Sequence, residues 1–449
     1  MKIIIAGAGE VGFHLAKLLS YESQDITLID TVKESLSYAD THLDIRVLRG
    51  DATSITVLQD AQVESCDLVI GVTASETTNI TLCLLAKQLG CTRTIARISN
   101  TEFIENKEKI NFEELGIDEL ISPEELAATE IQMLLNKSAF NDTYEFENGA
   151  LIMAGISLPK SAPFVGKMVK EAANIFPELH FMPIALKRLG TQKTIIPRGD
   201  TVFNEGDQVY FITVKEGVEE LYKLTAMVNR EIKNVMILGG SQVGFKTARE
   251  LCTNKFNVKV IEKDKEKAFD LADDLPNALI INGDGRNVEL LEEESLESMD
   301  AFIAVTGNSE TNIMSCLVAK SKHIKKTIAL VENMDYFQLS HSIGIDTLIN
   351  KKLLAANNIF RYIRKGEVVA LTRLNNLNAE ILEFIVKATS AVTGKIIREL
   401  NFPKQATIGG VIRNDIGIIA LGDFEIKEGD RVVVCCIPNV IGKIEKLFL

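Results

Sequence analysis

The sequence predicts an α/β protein made of two tandem Rossmann-like lobes with parallel sheets, each followed by a small α+β lobe. Three observations lead to this fold class. A glycine-rich turn follows an apolar strand twice, as KIIIAGAGEVG at residues 2–12 and as NVMILGGSQVG at 234–244. The same order of motifs returns about half a chain later. Within each half, short β-branched runs alternate with helical stretches, which is the pattern of βαβ units.

The repeat extends through both halves. Its longest stretch is Gly71–Asn100, which returns as Ala304–Asn333 with nearly half of the aligned residues identical. Shorter segments recur in the same order, at 116–118 and 344–346, 126–128 and 354–356, and 206–207 and 429–430. Because the order is kept throughout, the chain is a tandem duplication.

In the first half the predicted strands are nearly continuous in apolar residues, as expected where helices cover both faces of a sheet. They are Lys2–Ala6, Ile26–Ile29, Ile45–Arg49, Leu68–Val72 and Thr94–Ile98. The end of each half has shorter alternating strands after Gly-Asp turns, such as Gln208–Val214 and Arg431–Cys435, which predict a small α+β lobe. In each half an amphipathic helix, Pro123–Asn136 or Lys351–Arg364, precedes this lobe. Its apolar face either packs in the core or contacts a partner.

We therefore expect four lobes and two connectors. The N-lobes cover residues 1–122 and 232–350, the connector helices 123–143 and 351–367, and the C-lobes 144–228 and 368–449.

The first glycine-rich turn has the context of a dinucleotide-binding turn, since it follows a strand and opens a helix. It consists of Gly7, Ala8, Gly9, Glu10, Val11 and Gly12. The first glycine permits the tight turn, the second lets the backbone approach a diphosphate, and the third allows close packing of helix on strand. Asp30, at the end of the second strand, stands where a ribose-binding carboxylate is expected. A carboxylate there repels a 2′-phosphate, so the motif predicts NAD(H) or an adenosine phosphate in preference to NADP, with the diphosphate at the helix N-terminus.

The second turn departs from this spacing. It consists of Gly239, Gly240, Ser241, Gln242, Val243 and Gly244, and Glu262 supplies the carboxylate. Ser241 replaces the second glycine, so its Cβ adds bulk where phosphates approach, although its hydroxyl could also donate a hydrogen bond. We expect a second nucleotide site that differs from the first in affinity or preference.

Further candidate residues follow the third and fourth strands, at the edge where open α/β sheets gather their ligands. They are Asp51, Asp284, Thr73, Ala74 and Thr306, and each either lines the adenosine crevice or only shapes a turn. Arg97 ends the fifth strand, and its counterpart is Leu330. This arginine binds additional phosphate charge in the first site, pairs with a neighbouring subunit, or is simply exposed.

Composition and missing motifs exclude several classes. With 62 acidic and 49 basic residues the net charge is -13, which argues against nucleic acid as the main partner. No stretch reaches the roughly 18 apolar residues of a membrane span. No histidine of one half recurs at the equivalent position of the other half. We also find no metal-ligand spacing, nucleophile elbow or Walker A lysine. We therefore expect a sensor without a metal site rather than an enzyme; an NAD-dependent oxidoreductase is the alternative.

Taken in order, these motifs resemble the TrkA family, the peripheral regulatory subunits of Trk potassium-uptake systems, over essentially the whole chain. The resemblance is carried by the opening turn, Asp30, GDAT at 50–53, TASETTN at 73–79, Arg97, GIDELISPE at 116–124, the Gly-Asp tails, and the second turn with Glu262.

The resemblance implies two RCK-type units per chain that bind NAD(H) and ATP or ADP. The implied first site is Gly7–Val11, Asp30, Thr73, Ala74 and Arg97, and the second is Gly239–Val243, Glu262 and Thr306. It also implies a cytoplasmic protein, peripheral to the inner face of the cell membrane, that forms a homo-oligomeric, tetrameric ring. This ring would gate an integral-membrane potassium-conducting subunit; regulation of a different cation channel or antiporter is the remaining alternative.

Overall fold

The structure is a computed structural model of the chain. It describes residues 1–20, 24–100, 102–106, 109–136, 142–173, 180–189, 191, 193–224, 232–333, 336, 344–364, 370–373 and 377–448. The predicted connector ends at 137–141 and 365–367, the C-lobe residues 225–228 and 368–369, and His341 lie outside the described residues.

The first N-lobe is built on a six-stranded parallel sheet with the strand order β3-β2-β1-β4-β5-β6. The strands are β1 Lys2–Ala6, β2 Asp25–Asp30, β3 Arg46–Arg49, β4 Leu68–Gly71, β5 Arg93–Arg97 and β6 Glu119–Ile121. The helices are α1 Glu10–Ser20, α2 Lys33–His42, α3 Ile55–Asp60, α4 Glu76–Gln88, α5 Glu102–Glu105 and α6 Pro123–Asn136. This is the strand order of dinucleotide-binding Rossmann folds, which confirms the predicted fold class. The five predicted strands are present within one residue at either end, and the short β6 was not predicted.

The first C-lobe is a five-stranded antiparallel sheet with the order β10-β9-β11-β8-β7. Its strands are β7 Asp142–Phe146, β8 Leu151–Ser157, β9 Phe181–Lys187, β10 Thr194–Ile195 and β11 Gln208–Thr213, and its helices are α7 Val169–Ala173 and α8 Gly217–Leu224.

The second N-lobe repeats the first, with the parallel order β14-β13-β12-β15-β16-β17. Its strands are β12 Asn234–Leu238, β13 Asn257–Glu262, β14 Ala278–Asn282, β15 Ala301–Ala304, β16 Lys326–Leu330 and β17 Thr347–Ile349. Its helices are α9 Gln242–Thr253, α10 Lys265–Asp274, α11 Val288–Glu293, α12 Ser309–Ser321 and α13 Lys351–Arg364. Both connector helices, α6 and α13, have the predicted bounds.

The second C-lobe is again antiparallel, with the order β18-β19-β22-β20-β21. Its elements are β18 Ala370–Arg373, β19 Glu380–Ile385, β20 Ala406–Arg413, β21 Ile416–Ile418, β22 Arg431–Cys436 and α14 Ile441–Phe448. Short 3-10 turns occur at Val63–Ser65, Glu147–Gly149, Leu296–Ser298, Ile397–Glu399 and Pro438–Val440. Among the helices that the structure describes, none combines the length and apolar character needed to cross a membrane.

Like lobes pack together across the repeat. One compact unit comprises residues 1–132 with 233–360, and the other comprises 133–232 with 361–449. In the first unit the α9 side chain of Lys246 is fully buried, with its Nζ 3.1 Å from the Ser122 Oγ of the first N-lobe. In the second unit one apolar cluster holds residues of both C-lobes, including Tyr210 and Val433. Each unit is thus a pair of homologous lobes.

Glycines fix the approach of the first helix to the first strand. A methyl group on Gly12 would lie 1.8 Å from the Gly7 carbonyl oxygen, and one on Gly244 would lie 2.0 Å from the Gly239 oxygen. Gly7 has a φ of +107°, which side chains rarely adopt, and a Cβ there would lie 2.9 Å from the Thr73 nitrogen. Gly9 differs, because no heavy atom lies within 4 Å of the position its Cβ would take. Packing or backbone geometry therefore requires glycine at Gly7, Gly12 and Gly244, but not at Gly9.

Replacing Gly12 by alanine should lower the free energy of unfolding by about 2 kcal/mol or more, because the helix must move away from the turn. Denaturant unfolding followed by circular dichroism measures this loss. Gly9→Ala is the matched control in the same turn and should unfold like the original chain. Equal stability of both variants would contradict this packing argument.

Candidate nucleotide-binding sites

The crevice of the first N-lobe opens where the strand order reverses, between the carboxyl ends of β1 and β4. The turn from Gly7 leaves β1 on one side, and Thr73 leaves β4 on the other. Helix α1 begins at Glu10, so its unpaired N–H groups and the positive end of its dipole lie at this crevice. The second N-lobe has the same arrangement, with Gly239 after β12 and Thr306 after β15. Each crevice therefore offers backbone donors suited to an anion.

Asp30 links the end of β2 to the glycine turn. Its Oδ2 accepts a hydrogen bond from the Ala8 N–H at 2.5 Å, and its Oδ1 accepts one from the Val32 N–H at 2.8 Å. A carboxylate has about four acceptor positions, so each oxygen keeps capacity for a hydroxyl group. The half-buried Asp30 thus combines a structural role with free acceptor capacity beside the crevice.

Glu262 makes the equivalent contacts in the second N-lobe, but in a different environment. Its Oε2 accepts from the Gly240 N–H at 2.8 Å and its Oε1 from the Asp264 N–H at 2.9 Å. The residue is buried, with 7% of its surface exposed, and the Lys267 Nζ lies 3.9 Å from its Oε2. This carboxylate is therefore less accessible than Asp30, and its charge is partly offset by a nearby cation.

Residue 240, which follows the first glycine of the second turn, has no room for a side chain. A methyl group on Gly240 would lie 2.2 Å from Cδ1 of Leu271 and 3.0 Å from Oε2 of Glu262. The packing of Leu271 therefore requires glycine at this position, where the first lobe has Ala8.

Ser241 uses its hydroxyl group within the protein. The Ser241 Oγ donates to the Val305 carbonyl at 2.6 Å and accepts from the Gly244 N–H at 3.2 Å, which caps α9. The hydroxyl proton is therefore used in a bond to the protein and is not available to a ligand. Of the two effects expected for Ser241, steric bulk and a donated hydrogen bond, the structure favours steric bulk.

Asp51 and Asp284 lie one strand beyond these carboxylates. The Gly50 N–H donates to the Asp30 carbonyl at 3.0 Å, so Asp51 follows directly beside that strand end. The Asp51 carboxylate accepts from the N–H and the hydroxyl of Thr53, both at 2.8 Å, and these bonds lower its pKa. The hydrogen bonds and charge of Arg286 lower the pKa of Asp284 to about 2. Both aspartates are engaged in local turn contacts, and both lie at the same edge of their sheets as the glycine turns.

Asn79 organises the other side of the first crevice, and we did not predict it. This asparagine is fully buried. Its Oδ1 accepts from the N–H and the hydroxyl of Thr73 at 2.9 and 2.8 Å, and its Nδ2 donates to the carbonyls of Thr73 and Arg97 at 3.2 and 2.9 Å. Asn312 makes the same contacts with Thr306 and Leu330. One side chain therefore fixes the ends of β4 and β5 relative to each other.

Arg97 lies at the end of β5 and is partly buried. Its Nε is shielded from solvent and has no hydrogen-bond partner within the part of the chain that the structure describes. Its counterpart Leu330 is 3% exposed. The two crevices thus differ by one cation at this position.

The other predicted residues fall into two groups. Val11 and Val243 are buried and can offer a ligand only backbone groups, whereas Gln242 and Ala74 are exposed. Across the described residues no group of three or more His, Cys, Asp or Glu side chains is placed to hold a metal ion.

Solved structures share this fold over nearly the whole chain. The GsuK RCK domain superposes with a TM-score of 0.61 at 17% identity, covering 99% of this chain and 94% of that chain. The GsuK channel bound to NAD gives 0.61 at 17% identity, covering 99% and 78%. The alternation of Rossmann-like N-lobes and antiparallel C-lobes is therefore the fold of tandem RCK domains.

Sequence relatives give the family. Residues 3–123 and 235–351 match the TrkA-N domain, and residues 153–226 and 381–449 match the TrkA-C domain. The Trk system potassium uptake protein TrkA of Haemophilus influenzae is 35% identical, covering 100% of this chain and 98% of the relative. TrkA homolog 1 of Methanosarcina mazei is 31% identical, with full coverage of both. The chain belongs to the TrkA family of regulatory proteins and is not an enzyme.

Replacing Asn79 by alanine removes four hydrogen bonds and leaves partly buried backbone groups unpaired, so the free energy of unfolding should fall by about 2–3 kcal/mol. Gln88→Ala, at an exposed position on the same helix, is the control and should change little. Denaturant titration measures both. A loss for Asn79→Ala no larger than that for Gln88→Ala would refute its anchoring role.

Proposed function

We propose that this chain is a nucleotide-sensing regulatory subunit that gates a potassium-uptake membrane protein. In this proposal the first crevice binds NAD(H), ADP or ATP through the residues predicted for it, and the second crevice binds a nucleotide with different affinity. The diphosphate lies on the N–H groups at the start of α1, the ribose on Asp30, and the phosphate charge faces Arg97.

The observation that carries this proposal is Gly9. Its backbone φ is not positive, and the space in front of its Cβ is open, so neither conformation nor packing requires glycine. Ser241 occupies the equivalent position without disturbing the fold. A ligand that approaches the backbone closely gives a physical reason for glycine at this place.

Arg97 supports the same proposal from the opposite side of the crevice. A buried guanidinium nitrogen without a partner is unfavourable, and a phosphate oxygen would satisfy it. The fold neighbour GsuK has been solved with NAD and with ADP. At 17% and 13% identity this likeness supports the fold, so the proposal depends on the residues themselves.

The partner in this proposal is an integral-membrane potassium-conducting subunit, as the names of the relatives suggest. The chain would act in the cytoplasm, at the inner face of the cell membrane, as a homo-oligomeric, tetrameric ring. Co-purification of the tagged chain with a Trk-type membrane subunit, against a channel or antiporter of another class, tests the choice of partner.

The mechanism is a shift of populations between two arrangements of the ring. A nucleotide changes this equilibrium only by the ratio of its affinities for the two arrangements, so tight binding alone is insufficient. Ligands that occupy the same crevice but differ in their phosphates can therefore have opposite effects on potassium flux.

Asp30→Asn should weaken binding of both NADH and ADP about tenfold, because a charged acceptor for the ribose hydroxyls is lost. The amide oxygen keeps one acceptor for the turn, which favours retention of the fold. Calorimetric titration of the full chain measures the change, with the exposed Asp40→Asn as control. Unchanged affinity for both ligands would remove Asp30 from the site.

Gly9 and Ser241 occupy the same position in the two turns, so exchanging these residue types should reduce the difference in nucleotide affinity between the two sites. Gly9→Ser should weaken nucleotide binding to the first site about tenfold by steric conflict with the phosphates, without lowering stability. Ser241→Gly should strengthen binding to the second site. Calorimetry together with thermal unfolding distinguishes the effects, and wild-type binding by Gly9→Ser would argue against a ligand at this turn.

A further inference from the structure

An ion pair from the second N-lobe reaches the glycine turn of the first. Lys352 is the second residue of α13, and its Nζ lies 2.9 Å from Oε2 of Glu10, the first residue of α1. The same Nζ lies 3.0 Å from Oε2 of Glu332. A lysine of one lobe is thus held at the helix end where the other lobe would bind a diphosphate.

The charges around Lys352 allow it to exchange partners. Lys351 lies 3.1 Å from Glu332 and 3.2 Å from Glu124, so Glu332 keeps a cation when Lys352 moves. The Glu10 side chain is 56% exposed and can turn into solvent. A carboxylate at the N-terminus of α1 would repel an incoming phosphate, and Lys352 neutralises it in the unliganded chain. Release of Lys352 from Glu10 therefore leaves no buried charge unpaired.

We propose that Lys352 is a phosphate-binding residue of the first site, supplied by the second lobe, and that it selects nucleotides with a free terminal phosphate. This inference rests on the proposed nucleotide site. When ADP or ATP binds, Lys352 leaves Glu10 for the terminal phosphate, which carries more charge than either phosphate of a dinucleotide. NADH, whose two phosphates lie between two sugars, gains little from this contact. A nucleoside diphosphate thereby joins the two N-lobes, whereas NADH binds mainly to one.

The second site lacks this lysine. In the alignment of the two halves, Gln242 is the equivalent of Glu10, and Glu124 is the equivalent of Lys352. The first lobe thus supplies a carboxylate at the position from which the second lobe supplies an amine. Discrimination by terminal phosphate is therefore a property of the first site only.

The experiment compares ADP and NADH binding to the full chain and three variants by calorimetry. Lys352→Gln should lower the affinity for ADP about tenfold, since a charge-assisted bond is lost. It should lower the affinity for NADH by no more than about threefold, since the exposed Glu10 can turn into solvent away from the phosphates. Lys351→Gln is the matched control, because it changes the same network without touching Glu10. It removes the cation that Glu332 keeps when Lys352 moves, so it should weaken ADP binding by no more than about threefold and leave NADH binding unchanged. Glu10→Gln should bind ADP a few times more tightly, because it frees Lys352 and removes the repulsion.

The outcomes separate this inference from the proposed function. Normal ADP binding by Lys352→Gln, or equal weakening by Lys351→Gln, overturns the role of Lys352 while leaving the nucleotide site intact. If the unaltered chain binds neither ADP nor NADH, the proposed function itself fails. Thermal unfolding checks that the variants fold. Should Lys352→Gln not fold, the increase expected for Glu10→Gln decides, and unchanged or weaker ADP binding by that variant overturns the inference.

Discussion

The close approach of helix α1 to the Gly7 carbonyl is the constraint on which the N-lobe depends. Because residue 12 has no side chain, the helix begins against the end of β1 and directs its N–H groups into the crevice. Asp30 then holds the turn by its backbone, and Asn79 fixes the opposite wall. The same contacts recur through Gly244, Glu262 and Asn312, so both lobes direct helix N–H groups to the point where the strand order reverses.

Duplication kept this framework and changed the groups that would face a ligand. The second crevice has a more buried carboxylate with a lysine nearby, a serine whose hydroxyl caps its helix, and leucine in place of Arg97. The serine side chain and the loss of the arginine make the second crevice less suited to phosphate charge, whereas the burial of Glu262 makes its carboxylate less accessible to ribose hydroxyls. Two unequal sites within one pair of packed lobes are a physical basis for distinguishing nucleotides, which a symmetric pair would not provide.

The sequence predicted the parts that depend on local pattern. Long apolar runs gave the strands, the repeat gave the lobes, and glycine spacing gave both turns. The three residues of β6 were too few for a periodic pattern. Asn79 was missed because its partners at β4 and β5 become neighbours only in the folded sheet. The contact between Glu10 and Lys352 spans 342 residues, and it exists because like lobes pack together, which the linear order of the repeat does not reveal.

Amide hydrogen exchange of the full chain, with and without saturating ADP, tests the central claim most directly, because it reports on the turn backbone itself. Binding of a diphosphate at the helix N-terminus predicts slower exchange in peptides that cover residues 7–13, and a smaller change, if any, in those that cover 239–245. Exchange that stays the same in the first of these segments, with protection elsewhere or nowhere, would contradict the account.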